Sequence, residues 1–313
     1  MILPYLLLFF WLFWILPSST SRGQSTIPIS RKCLYPNLTL RDTLVAATEL
    51  DGFSLALAPG FFRYYAILGA VHAMDDVNLL KTFSLSGSSA GALIASFLAT
   101  GQKPSEIVEP ILALDRKDIW DLGGRRFLLG LLKGQKFDSL LEKYLPVSLI
   151  EDCPIAFGCT VYDIMKRETL SLTKGPITTA VRTSCSFPLL FQPVRVKESR
   201  FCIDGAIEDK SGLRALPKYP PQSKLIVNIM FGRDGFEYST LPKQFHDTDA
   251  ELLTVVIEGV PNASPLSMKT IGPIAYAQAK RTVNHYLQAS FSNQANLTKK
   301  SDRHHYVILN AID

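Results

Sequence analysis

Five residues, Gly87-Ser88-Ser89-Ala90-Gly91, follow the β-rich run KTFSLS and precede the periodic run ALIASFLATG. This G-x-S-x-G pattern between a strand and a helix is the sequence form of a nucleophile elbow. A sharp turn exposes the Ser89 hydroxyl, and the small Gly87 and Gly91 relieve crowding in it. The following helix aims its N-terminus at the serine, where its dipole and unpaired N–H groups favour developing negative charge. The same residues also suit a Ser/Gly-rich turn without chemistry. A serine nucleophile needs a base. The histidines are His72, His246, His285, His304 and His305. The last four follow the serine, as a Ser-His-Asp hydrolase requires, but none sits in an obvious strand-end loop. The other candidate is Asp204 in FCIDGAIED, a carboxylate at the end of an apolar strand with Gly205 and Ala206 leaving room around it. An ordinary Asp-Gly turn has the same appearance. The residues alone leave both bases open.

A second turn, APGFFRYY at 58–65, lies between the apolar FSLAL and the helical AILGAVHAMDD. Strand-to-helix turns cradle negative charge through unpaired N–H groups. This one is built of Pro59, Gly60, Phe61, Phe62, Arg63, Tyr64 and Tyr65 instead of a glycine run. Its aromatics either line an apolar channel or pack the first helix into the core. The stretch RRFLLGLLKGQK mixes leucines with Arg125, Arg126, Lys133 and Lys136. It reads as a buried connector with a charged edge, or as a membrane-docking segment.

Around these residues, strands alternate with helices. FSLALA, KTFSLSG, PIAFGCTV, TLSLT, FCID, KLIVNIMF and HHYVILNAI have strand character, whereas ELLTVVI fits strand or helix. FRYYAILGAVHAM, AGALIASFLATG, EIVEPILAL with Ser105 as its cap, FDSLLEKYL, ITTAVRTSC and IAYAQAKRTVNHYLQ are helical. Such alternation implies an α/β architecture with a mainly parallel sheet. Residues 22–50 read as a polar leader over the surface, and 51–313 as one domain.

The chain has 313 residues, 47% of them hydrophobic, enough for a sizeable core. A net charge of +5 is too weak to argue for nucleic acid. The first charged side chain is Arg22, and residues 1–21 resemble a signal peptide, with an uncleaved membrane anchor as the alternative. Sequons at Asn37, Asn262 and Asn296 fit a secreted or secretory-pathway glycoprotein. Of five cysteines at 33, 153, 159, 185 and 202, an odd one must stay unpaired in a monomer. Cys153 and Cys159 would lie about 20 Å apart on one strand, too far for a disulfide. No spacing suits structural zinc.

The chain resembles the patatin-like phospholipase family. The elbow GSSAG, the strand-end DGA and the turn LALAPGFFRYYAILGAVHAMDD fall in the family's order, and AVRTSCSFPLLFQPV and GLLKGQKFDSLLEKYLP extend the likeness over residues 51–290. The resemblance implies a three-layer α/β fold with a mainly parallel central sheet and helices on both faces. It implies Ser89 as nucleophile and Asp204 as general base in a Ser-Asp dyad that hydrolyses fatty acyl esters of glycerolipids through an acyl-serine, without metal or cofactor. Backbone N–H groups of Gly60 and Phe61 take the oxyanion positions, and Arg63 the basic position that anchors the loop or steers a head group. Pro59 departs from the family's glycine run, since proline has no N–H to donate. A catalytically weak lipid-binding or storage protein on the same fold is therefore the alternative. Lipid substrate and transient contact with a lipid surface are the expected partners.

Overall fold

Alternation along the strands sets the layers. Phe53, Leu55 and Leu57 of β1 (Phe53–Leu57) join the main hydrophobic cluster, whereas Ala56 belongs to a smaller one. A computed structural model describes residues 39–122, 130–196, 200–217, 224–233, 236–288 and 297–312. The described residues fall within one contact unit, Cys33–Asp313. The signal-like start, Asn37, Asn296, Arg125 and Arg126 lie outside the described residues.

In chain order the elements are α1 (Leu40–Glu49), β1, α2 (Tyr64–Asp76), β2 (Thr82–Ser88), α3 (Ala90–Ala99), α4 (Pro104–Ala113), α5 (Arg116–Ile119) and α6 (Gln135–Tyr144). There follow β3 (Ala156–Asp163), β4 (Glu168–Leu172), α7 (Ile177–Ser184), β5 (Val194–Val196), β6 (Arg200–Asp204), β7 (Leu225–Phe231) and β8 (Glu251–Glu258). The chain closes with α8 (Met268–Gln288), β9 (Thr298–Ser301) and β10 (His304–Asn310). The sheet order is β5-β6-β3-β2-β1-β7-β8-β10-β9, with β4 also paired to β3. Its centre, from β3 to β10, is parallel, while β4, β5, β6 and β9 pair antiparallel at the flanks. ELLTVVI is therefore a strand, held between β7 and β10.

The helices bury their apolar residues in the cluster that contains Leu55 and Leu57. On the opposite face, Ala56, Ile226 and Leu252 are covered by Leu213, Leu216 and Phe245, the last from a single 3₁₀ turn. The helix α8 starts at Met268, earlier than its apolar period indicates, and passes through Pro273. Gly272 lets this helix pack closely on α2, because a Cβ there would stand 2.7 Å from the Tyr65 ring. Helix α4 begins with Pro104, and the Glu106 carboxylate accepts the Lys103 N–H at 2.8 Å, so Ser105 lies within the first turn and is not the cap.

The end of the chain's polar stretch also differs from the expected surface leader. The end of the supposed leader is helix α1, capped by Thr39, whose Oγ1 accepts the Asp42 N–H at 3.1 Å. Leu40, Leu44 and Ala47 recur at helical spacing and are buried in the main cluster. Charged residues between them conceal the stripe in the sequence. Replacing Leu44 with Ala should cost about 2–4 kcal/mol in urea unfolding. A loss under about 0.5 kcal/mol, as expected for a surface substitution, would mean that α1 is not docked.

Candidate active site

The register of β3 explains how residues 115 positions apart come to touch. Ser88, the last residue of β2, pairs with Thr160 in the parallel direction. Asp204, the last residue of β6, pairs with Val161 in the antiparallel direction. The two strands thus run toward each other on either side of β3 and end at the same level. Ser89 is the next residue after β2, and its Oγ donates to Asp204 Oδ2 at 2.7 Å.

The elbow is tightly confined. Ser89 adopts φ 50° and ψ −119°, a conformation that L-residues rarely take and that must be held by its surroundings. A Cβ on Gly91 would stand 2.0 Å from the Leu57 carbonyl oxygen, and one on Gly87 would stand 2.4 Å from the Ala92 nitrogen. Both glycines are therefore required by close backbone approach. Gly205 serves Asp204 likewise, since a Cβ there would meet the Thr160 carbonyl at 2.2 Å.

Asp204 is 1% exposed. Burial pushes its carboxyl up to about 7, against the opposing pull of the Ala206 N–H, the Ser89 hydroxyl and the nearby Lys210 ammonium. Its Oδ1 accepts the Ala206 N–H at 2.8 Å, which leaves Oδ2 directed at Ser89. Close to neutral pH the group can therefore both take and return a proton.

The segment from α7 into Phe187 holds the main chain of both residues, a role that no local pattern in the sequence signals. Ser184 Oγ accepts the Ser89 N–H at 3.0 Å, and Cys185 Sγ donates to the Ser89 carbonyl at 3.2 Å. Burial pushes the Cys185 thiol well above its ordinary range, which keeps it a neutral donor. The Ser186 carbonyl accepts the Asp204 N–H at 3.0 Å. Behind it, the buried Arg182 donates to Ser186 Oγ and to the carbonyls of Lys133 and Gly134. Its guanidinium stacks 4.6 Å from the Phe191 ring centroid. The ITTAVRTSC run placed an arginine in an amphipathic helix, a position that ordinarily signals a solvent-facing charge.

In the turn after β1, Ala58 N–H is tied to Ile229 O at 3.0 Å, and Gly60 O accepts the Arg63 N–H. Arg63 Nη1 donates to Val260 O at 2.7 Å and its guanidinium lies over Phe231, so this side chain anchors the turn. Among the described residues no protein acceptor takes the Gly60 or Phe61 N–H. Tyr64 and Tyr65 are core residues, whereas Phe61 is 40% exposed and stacks edge-on with Phe187 at 5.4 Å. The turn is thereby joined to the segment that holds Ser89.

The histidines are engaged elsewhere. His72 meets Tyr276 and Asp76, His304 meets Thr254, His305 meets Glu251, His246 meets the Leu241 carbonyl, and His285 stacks on Tyr286. The cysteines at 153, 159, 185 and 202 are free thiols.

The model of the patatin-like phospholipase family matches residues 55–217, which run from β1 through both Ser89 and Asp204. The chain belongs to this family. It is 26% identical over 167 residues to a Mycobacterium tuberculosis protein described as an uncharacterized NTE family protein, MT2641, covering 51% of this chain and 28% of that one. It is 25% identical over 166 residues to the uncharacterized Bacillus subtilis protein YqhO, covering 44% of this chain and 56% of that one. The match therefore spans little over half of one curated relative and about a quarter of the other. Among solved structures, VipD from Legionella pneumophila aligns over 69% of this chain and 52% of its own, with 15% identity and a TM-score of 0.43. Full-length ExoU of Pseudomonas aeruginosa, solved in complex with SpcU, aligns over 90% of this chain and 62% of its own, with 18% identity and a TM-score of 0.41.

The raised carboxyl has a consequence for stability. Between its ordinary value near 3.8 and its folded value of about 7, Asp204 holds a proton in the folded state that the unfolded chain releases. Its contribution to stability therefore falls as pH rises through that window. Asp204→Asn should gain on the parent in chemical denaturation as pH increases from about 4 to about 7.5. A difference that stayed flat, or ran the other way, would show that Asp204 is not held protonated by burial.

Proposed function

We propose that this chain is a lipid acyl hydrolase of phospholipase or lysophospholipase type, working by a Ser89–Asp204 dyad. The observation that carries the reading is the 2.7 Å hydrogen bond from Ser89 Oγ to a buried carboxylate poised at about 7. Family membership supports the lipid ester as substrate class.

In this mechanism Ser89 Oγ attacks the ester carbonyl carbon, and its proton passes to Asp204 Oδ2. The Gly60 and Phe61 N–H groups stabilise the oxyanion. The tetrahedral intermediate collapses, the C–O bond to the leaving alcohol breaks, and Asp204 returns the proton to that oxygen. A water then attacks the acyl-serine while Asp204 accepts its proton. The fatty acid departs as the proton goes back to Ser89 Oγ.

Pro59 favours a second reading, a lipid-binding protein with weak catalysis, because the turn offers no donor at that position. The apolar start of the chain and the exposed Asn262 sequon support a secretory-pathway location for either protein.

A fluorophosphonate probe should label the parent protein and not Ser89→Ala. Asp204→Asn should lose about 10²–10⁴ in turnover on a phospholipid and lysophospholipid panel. Absence of labelling in well-folded parent protein would sink the enzyme reading. If the donor missing at Pro59 limits turnover, Pro59→Gly should raise it, by as much as about 10²–10³. Unchanged or lower turnover would mean that Gly60 and Phe61 suffice.

A further inference from the structure

We propose that Lys210 is a positioning residue for the dyad, whose ammonium, held on the turn that follows Asp204, stabilises the charged form of that carboxylate. The proposal rests on the acyl-hydrolase reading for the task it gives Asp204. Lysine is seldom drawn inward without a partner. Lys210 is half-buried, and its Nζ donates to the Ala206 carbonyl. Ala206 belongs to the 3₁₀ turn Gly205–Ile207 that directly follows Asp204, and its own N–H donates to Asp204 Oδ1 at 2.8 Å. Ala206 thus holds the carboxylate through its N–H and the ammonium through its carbonyl. The turn has little freedom to drift. Gly205 lies against the Thr160 carbonyl, and its own carbonyl accepts the Asp209 N–H at 2.9 Å. Thr160 Oγ1 donates to Asp209 Oδ2 at 3.1 Å. Lys210 is the next residue, so its side chain starts from a fixed point.

Two buried carboxylates, Asp204 and Asp209, act on Lys210, and their partners differ. Asp209 accepts from the N–H groups of Ser211 and Gly212 and from the hydroxyls of Ser211 and Thr160. Among the described residues Asp204 accepts only from the Ala206 N–H and the Ser89 hydroxyl. The carboxylate with fewer neutral donors gains more from a nearby cation. The other titratable groups around the turn supply none. Cys185, at the end of α7, is a neutral thiol. Arg182 is engaged with Ser186 and with the carbonyls of Lys133 and Gly134. Arg200 pairs with Asp163 and Glu168, and Glu208 meets Thr169 and Arg214. Burial lowers the Lys210 ammonium below its ordinary range, and Asp204 and Asp209 pull it back up. Lys210 in turn opposes the rise that burial imposes on Asp204.

The test removes the charge with and without its hydrogen bond. Lys210→Met removes both, Lys210→Gln keeps a neutral donor, and Lys210→Arg keeps the charge. One readout is the ionisation of Asp204, followed by carboxyl-carbon NMR and assigned by the signal lost in Asp204→Asn. The other is the pH dependence of fluorophosphonate labelling at Ser89. Removing a positive charge disfavours the carboxylate, so both midpoints should move to higher pH, by about 0.5–1 pH unit, in Lys210→Met and Lys210→Gln. In Lys210→Arg they should stay at the parent's value. A lysine that only braces the turn would change the labelling rate and leave the midpoint in place. An unmoved Asp204 midpoint in Lys210→Gln, or an equal shift in Lys210→Arg, would overturn the proposal. The carboxyl titration needs no reaction at the serine, so it decides the role of Lys210 by itself. Absence of labelling in well-folded parent protein counts against the acyl-hydrolase reading alone.

Discussion

The hydrogen bond between Ser89 and Asp204 is the contact around which the rest is arranged. It joins a serine that leaves β2 to a carboxylate that ends β6, across the intervening β3. Moving either strand by one residue would turn the side chain to the other face of the sheet and break the pair. The bond also gives the buried carboxylate a polar partner in an environment that disfavours its charge. One side of the site therefore costs stability, and the surrounding packing must supply it.

That packing relies on backbone contact more than on side chains. Gly87, Gly91 and Gly205 each stand where a methyl group would overlap a neighbouring main-chain atom. Gly212 adds a fourth such contact, against the Leu57 carbonyl, and its segment is held by Asp209, which accepts the Ser211 and Gly212 N–H groups. The elbow, the first turn after β1 and the loop after β6 are thus pressed into one unit. Ser184, Cys185 and Ser186 close it from the side, with Arg182 behind them. Rigid support of this kind is what allows the Ser89–Asp204 hydrogen bond to persist beside an unfavourable backbone angle.

Much of this was legible in the residues. The GSSAG and FCIDGA stretches carry their small residues because the chain must approach itself there, and small residues between strand and helix are visible without coordinates. Strand and helix alternation gave the parallel centre of the sheet, and β-rich apolar runs marked its strands. The rest is set by long-range contact. Helix α1 buries Leu40, Thr43, Leu44 and Ala47 with Arg41 and Asp42 interposed, so its apolar stripe is faint in the sequence. Arg182 looks like a surface charge until the carbonyls of Lys133 and Gly134 are seen to surround it. The roles of Ser184 and Ser186 depend on which loops they face, which no local pattern encodes. The bulky turn at Pro59–Tyr65 resolves into two parts, with the tyrosines in the core and Phe61 against Phe187.

The central claim is that Asp204, and no histidine, sets the reactivity of Ser89. The most direct measurement is the rate of fluorophosphonate labelling at Ser89 as a function of pH. The rate should rise through a single ionisation close to 7, as the buried carboxylate becomes the base, and this step should vanish in Asp204→Asn while the residual rate stays low. A step that survives in Asp204→Asn, or one removed by changing a histidine, would contradict the account.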